Sequence, residues 1–157
     1  MESKDSNRTE LIVLVGLPGS GKTTYLKSLI TSGEIEDYCD DYEYGPIKRL
    51  NPMQSEEDER LINGLRRKEK WAVADTRYCD KKERAKLETA LKQLIPNLKL
   101  KFLFFENRPD LCVQNATYRN KFNLPRHEIN LIYYYTDLYE IPEEAKVIKI
   151  ASGQTTP

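Results

Sequence analysis

Gly16-Leu17-Pro18-Gly19-Ser20-Gly21-Lys22-Thr23 combines residue types and spacing that suit one task, the holding of a phosphate chain. Every required position of the pattern GxxxxGK[ST] is filled. The glycines let the backbone wrap tightly enough to aim successive N–H groups at phosphate oxygens, and a helix starting behind them adds partial positive charge. Lys22 supplies a mobile cation for the terminal phosphates, and the Thr23 hydroxyl is of the kind that ligates Mg²⁺. With Thr24 in the same turn, residues 16–24 form the candidate nucleotide-binding loop, and ATP with Mg²⁺ is the expected ligand set. A glycine-rich turn that binds nothing would lack the strand before it and the helix after it, both of which the pattern here predicts.

A phosphate loop does not say where the phosphate goes. A GTPase needs DxxG and NKxD, but Asp75-Thr76-Arg77-Tyr78 lacks the glycine and Asn120-Lys121-Phe122-Asn123 lacks the aspartate. Transporter-type and ring-forming ATPases need segments for which 157 residues leave no room. What remains is a small phosphotransferase or a nucleotide-binding protein that never transfers. Carboxylates become informative here, because one beside an acceptor can take a proton from an attacking hydroxyl. Asp40-Asp41 closes a weak strand and Asp75 ends a strong one, the positions where ligands bind in open α/β sheets. Arg119, Lys121 and Arg126 cluster around Asn120, Asn123 and Pro125, which reads as a cation-bearing lid. An arginine closing over a γ-phosphoryl group would balance the charge spread over its oxygens.

The elements that must position these residues follow from periodicity. Short apolar runs predict strands over 10–15, 36–39, 71–74, 98–105 and 146–150. Helical spacing predicts helices over 22–30, with Gly33 as its stop, then over 53–68, 81–95, 109–119, and from Pro125, as a first helical position, through Leu138. Alternating strands and helices imply right-handed parallel βαβ units. The expected fold is therefore α/β, a three-layer P-loop NTPase fold with a five-stranded parallel sheet and a short lid. Residues 1–157 read as one domain, with residues 1–8 and 153–157 as flexible tails.

Composition narrows the setting. Lys+Arg and Asp+Glu each total 25, so no overall basic field holds long nucleic acid, although a strand end gripped locally stays open. No apolar run nears the ~20 residues of a membrane span, and residues 1–10 are polar, so a cytoplasmic protein with no membrane partner is expected. Cys39, Cys79 and Cys112 form no CxxC and read as reduced thiols. Tyr42, Tyr44 and Tyr78 flank the acceptor side, where they either stack on a base or pack half-buried. Tyr133-Tyr134-Tyr135 reads as packing and surface filling, and His127 as structural or exposed. Ala151-Ser152-Gly153 and Arg108 are further candidates beside the nucleotide.

LIVLVGLPGSGKTTYLKSLI at 11–30, CDDY at 39–42, VADTRYCDKKER at 73–84 and NATYRNKFNLPRHEINLIYYY at 115–135 together resemble the 5′-hydroxyl polynucleotide kinases of phage and bacterial RNA-repair systems. That fold is shared with small-molecule and zeta-toxin-like kinases. The resemblance implies Asp40 as general base on the acceptor hydroxyl, Arg119 as phosphate-clamping lid arginine, Asp75 as substrate-side carboxylate, and repair enzymes as partners. The family carries an arginine three residues after the base, where this chain has Glu43. Arg77, on the acceptor side with Asp75, is the candidate to restore that cation. The expected activity is ATP-dependent phosphorylation of a hydroxyl, first the 5′-hydroxyl of RNA or DNA. The alternatives are a small-metabolite or nucleoside kinase and a non-transferring ATP-binding protein.

Overall fold

The computed structural model describes residues 9–42, 52–120 and 125–151. Five strands, β1 (Thr9–Val15), β2 (Asp37–Cys39), β3 (Trp71–Ala74), β4 (Leu98–Phe105) and β5 (Val147–Ile148), form an all-parallel sheet in the order β2-β3-β1-β4-β5. Five helices connect them: α1 (Lys22–Thr31), α2 (Pro52–Arg66), α3 (Lys81–Leu94), α4 (Pro109–Arg119) and α5 (Arg126–Thr136). The expected α/β fold with a five-stranded parallel sheet is the fold observed.

The β-branched run of β1 sits at the sheet centre, and Leu11, Val13, Leu14 and Val15 are wholly buried. A strand covered on both faces reads as a continuous apolar run for this reason. Successive side chains of β4 show what covers it. The Phe105 ring meets Tyr25 of α1 edge-on at 5.7 Å, while the Arg84 guanidinium of α3 lies 5.1 Å over Phe104. Neighbouring residues of a strand point to opposite faces, so α1 and α3 lie on opposite sides of the sheet and make the outer layers.

Three elements stop two residues short of the periodicity. The last strand keeps only Val147 and Ile148, because the Ile150 N–H goes to Glu106 Oε1 at 3.0 Å and not to a strand partner. Pro125 precedes α5 as its cap, and the helix ends at Thr136, short of Leu138. α2 stops at Arg66, after which Lys68 turns with φ 65°. The expected tails at 1–8 and 153–157, together with Glu43, Tyr44, Lys121, Asn123, Ser152 and Gly153, lie outside the described residues. No helix among the described residues is long and apolar enough to cross a membrane.

Candidate functional site

Register brings the chemistry to one end of the sheet. Leu14 pairs with Ala74, Val73 with Cys39, and Val15 with Phe104. The chain therefore leaves β1 into the phosphate loop, β2 into Asp40 and β3 into Asp75 at nearly one level. The strand order reverses around β1, whose successors lie on its two sides, and such a switch point leaves a crevice outside the strand ends.

Two loop glycines are dictated by geometry. Gly19 has φ 84°, and a Cβ there would lie 2.4 Å from the Cys112 carbonyl oxygen. Gly21, at φ 103°, caps α1 with no side-chain hydrogen bond, so the first N–H groups of that helix are not consumed by a capping side chain. This is the arrangement in which a helix start receives an anion. Lys22 is folded back onto the loop: its Nζ donates to the carbonyls of Gly16 at 2.7 Å and Leu17 at 2.9 Å. Burial holds its ammonium below the ordinary lysine value, opposed by Cys79, Asp75, Cys112 and Asp40. Both candidate carboxylates thus act on the loop cation.

Thr23 is solvent-exposed and donates its hydroxyl to Asp40 Oδ2 at 2.5 Å, and Asp40 Oδ1 accepts the Asp41 N–H at 2.9 Å. Asp41 turns away with φ 51°. Hydroxyl and carboxylate oxygens in contact are the donor set that suits a hard divalent cation. Asp75 caps a short 3₁₀ turn, Thr76–Cys79, by accepting the Arg77 N–H at 2.8 Å, and Arg77 Nε approaches the same oxygen at 3.7 Å. Sequence periodicity missed this turn. Its only local signal is the Asp at each end, Asp75 and Asp80, both accepting N–H groups two residues on.

Beside the loop lies a pocket of ≈ 420 Å³ whose lining includes Gly19, Gly21, Thr24, Tyr25, Tyr118 and Arg119. Asn115, which sequence reading did not single out, binds the two halves of its rim. Its Nδ2 donates to the Gly19 carbonyl at 3.0 Å and to the Ala151 carbonyl at 2.9 Å. Asn115, Tyr118 and Arg119 recur at helical spacing, the signal that could have found them. Arg119 reaches the pocket yet is paired with Glu128 of α5, which also accepts from Asn120 Nδ2 at 3.4 Å. Ala151 lines the pocket, whereas Arg108 does not; it clamps Asp110 at 3.0 and 2.8 Å.

The tyrosines near the acceptor side divide. Tyr42 and Tyr78 are fully buried, with Tyr42 Oη donating to Asp58 at 2.6 Å and Tyr78 Oη to the Tyr42 carbonyl at 2.9 Å. Both are packing residues, and neither offers a free ring to a base. His127 is exposed, and Cys39, Cys79 and Cys112 are buried free thiols.

No family model matches the chain. A relative from Acanthamoeba polyphaga mimivirus, itself uncharacterized, is 27% identical over 137 residues, covering 87% of this chain and 91% of the relative. Among solved structures, a gluconokinase from Sinorhizobium meliloti 1021 superposes with a TM-score of 0.60 at 17% identity, covering 91% of this chain and 83% of that one. The protein APE1195 superposes with a TM-score of 0.54, also at 17% identity, over 95% of this chain and 88% of its own. Fold and loop together define an α/β protein of the P-loop class. Its sheet architecture is that of the gluconokinase structure.

Proposed function

We propose that the protein is a kinase that moves the γ-phosphoryl group of ATP, with Mg²⁺, to a hydroxyl, and that the acceptor is the 5′-hydroxyl of a nucleic-acid strand. The observation that carries this reading is the meeting of Thr23 and Asp40, which sets an acceptor-side carboxylate against the donor loop at 2.5 Å. Asp75, leaving the next strand end, is a second carboxylate that acts on Lys22.

In this reading the loop N–H groups of residues 19–24 and the ammonium of Lys22 hold the β- and γ-phosphates. Lys22 leaves the Gly16 and Leu17 carbonyls to do so. Thr23 and Asp40 are the oxygens that would hold Mg²⁺, which would supply charge balance for the phosphates when bound. Asp40 takes the proton of the attacking hydroxyl, an in-line displacement follows, and Arg119 exchanges Glu128 for the transferring group. Asp75 and Arg77 receive the acceptor, Arg77 supplying the cation for its phosphodiester. The donor base occupies the pocket walled by Tyr25 and Tyr118. Nucleic-acid repair enzymes are the partners this activity fits, since a restored 5′-phosphate is what strand joining consumes.

The competing acceptor is a small polyhydroxy acid of the kind the name gluconokinase implies. Labelled ATP offered simultaneously to a 5′-hydroxyl oligonucleotide and to gluconate separates them. Label on the oligonucleotide, falling steeply with salt as counterion release requires, supports the proposal. Label on gluconate replaces the acceptor, and label on neither removes both of these acceptors.

A further inference from the structure

We propose that Tyr134 and Tyr135, at the end of α5, form a seat for the terminal base of the acceptor; this rests on the nucleic-acid reading above and extends it to a specificity element. The two rings stand at 90° with centroids 4.9 Å apart, one edge-on to the other, which makes a corner with Tyr134 on its exposed side. A flat heteroaromatic ring laid against one member and edge-on to the other finds the two arrangements that aromatic pairs prefer. Core packing accounts for Tyr135, which is half-buried against the hydrophobic cluster, but not for Tyr134, which is 64% exposed.

The corner stands beside the acceptor groups. Helix α5 packs against the 3₁₀ turn that carries Arg77. Burial pushes the Tyr135 phenol up, with Arg77 pulling it down and Asp75 pushing it further up, so both side chains act on that ring. Asp75 acts on Lys22 as well. Lys22 and Tyr135 thus share Asp75 as a charged neighbour, and Arg77 is a further charged neighbour of Tyr135. An acceptor with its hydroxyl at the carboxylates and the rest directed away from the donor meets a cation and then an aromatic surface. A strand end presents a hydroxyl, a phosphodiester and a flat base, and stacking accepts every base because each has a π-face.

The test uses the full chain, wild type and Tyr134→Ala, the latter at a position exposed enough to spare the core. Each is given two 5′-hydroxyl oligonucleotides, one intact and one lacking the base of its terminal nucleotide. The proposal expects wild type to prefer the intact end about tenfold in KM, with Tyr134→Ala raising KM for the intact end by about that factor and leaving the abasic end unaffected. Tyr135→Phe keeps the ring and the preference, which separates stacking from a role for the hydroxyl. Phosphorylation of both ends with no preference lost in Tyr134→Ala overturns the seat and spares the kinase reading. Failure of wild type to label either end overturns both.

Discussion

Asp40 uses both carboxylate oxygens locally, Oδ2 for the Thr23 hydroxyl at 2.5 Å and Oδ1 for the Asp41 N–H at 2.9 Å. The first bond joins the loop after β1 to the end of β2. The second fixes the carboxylate's rotation. A carboxylate so held is already positioned at the donor when an acceptor arrives, which lowers the cost of orientation during reaction.

Asp40→Asn keeps an oxygen for either bond and removes the charge and the proton acceptor. We expect the fold and ATP affinity to survive while transfer falls by about 10²–10⁴-fold, with more Mg²⁺ required for half-maximal rate. A Mg²⁺ titration of turnover checks this. An unchanged rate would place the base elsewhere, with Asp75 next in line.

Gly19→Ala places a methyl 2.4 Å from the Cys112 carbonyl oxygen at a φ of 84° that alanine resists. The clash is with backbone and cannot be relieved by a rotamer. Loss of ~1–3 kcal/mol of stability is expected, together with loss of ATP-induced stabilisation, both measurable by thermal unfolding with and without nucleotide.

Glu128→Gln removes the carboxylate on which Arg119 rests. Arg119 would no longer leave an ion pair to meet phosphate. The pair is largely exposed, so the gain is small: KM for ATP should drop about two- to fivefold at low salt and less at high salt. A rise in KM would show that Glu128 instead holds Arg119 in its working position.

Burial pushes the Cys79 thiol up from 9.0 to about 12 and the Cys112 thiol up from 9.0 to about 11. Above pH 9 the unfolded chain loses these protons while the folded chain keeps them, so stability falls as pH rises from 9 toward 12. Denaturant unfolding at pH 8 and pH 10 should show the decline, and Cys79→Ala should make it shallower. Both thiols should resist alkylation at pH 8 until the protein unfolds.

The sequence made the central strand β1 legible because it is buried on both faces and burial selects an unbroken apolar run, while β4 was legible from its apolar end, Phe102 to Phe105, although Lys99 and Lys101 stand exposed. It failed where side chains replaced the backbone ladder. Glu106 capping the Ile150 N–H shortened β5, and Asp75 capping Arg77 made a 3₁₀ turn in a stretch with no periodicity. Within the site, the loop and both carboxylates were readable because their spacing is local. Asn115 on the Gly19 carbonyl joins residues 96 apart. Glu128 on Arg119 likewise depends on how two helices meet. The buried Tyr42 and Tyr78 donate to Asp58 on α2 and to the Tyr42 carbonyl, partners no local pattern announces.

The most direct measurement is transfer of labelled γ-phosphate from ATP to the 5′ end of a hydroxyl-terminated oligonucleotide by wild type, Asp40→Ala and Lys22→Ala. The account predicts end-label with wild type only, while Asp40→Ala still binds ATP. End-label that persists in Asp40→Ala, or its absence with wild type, would contradict it.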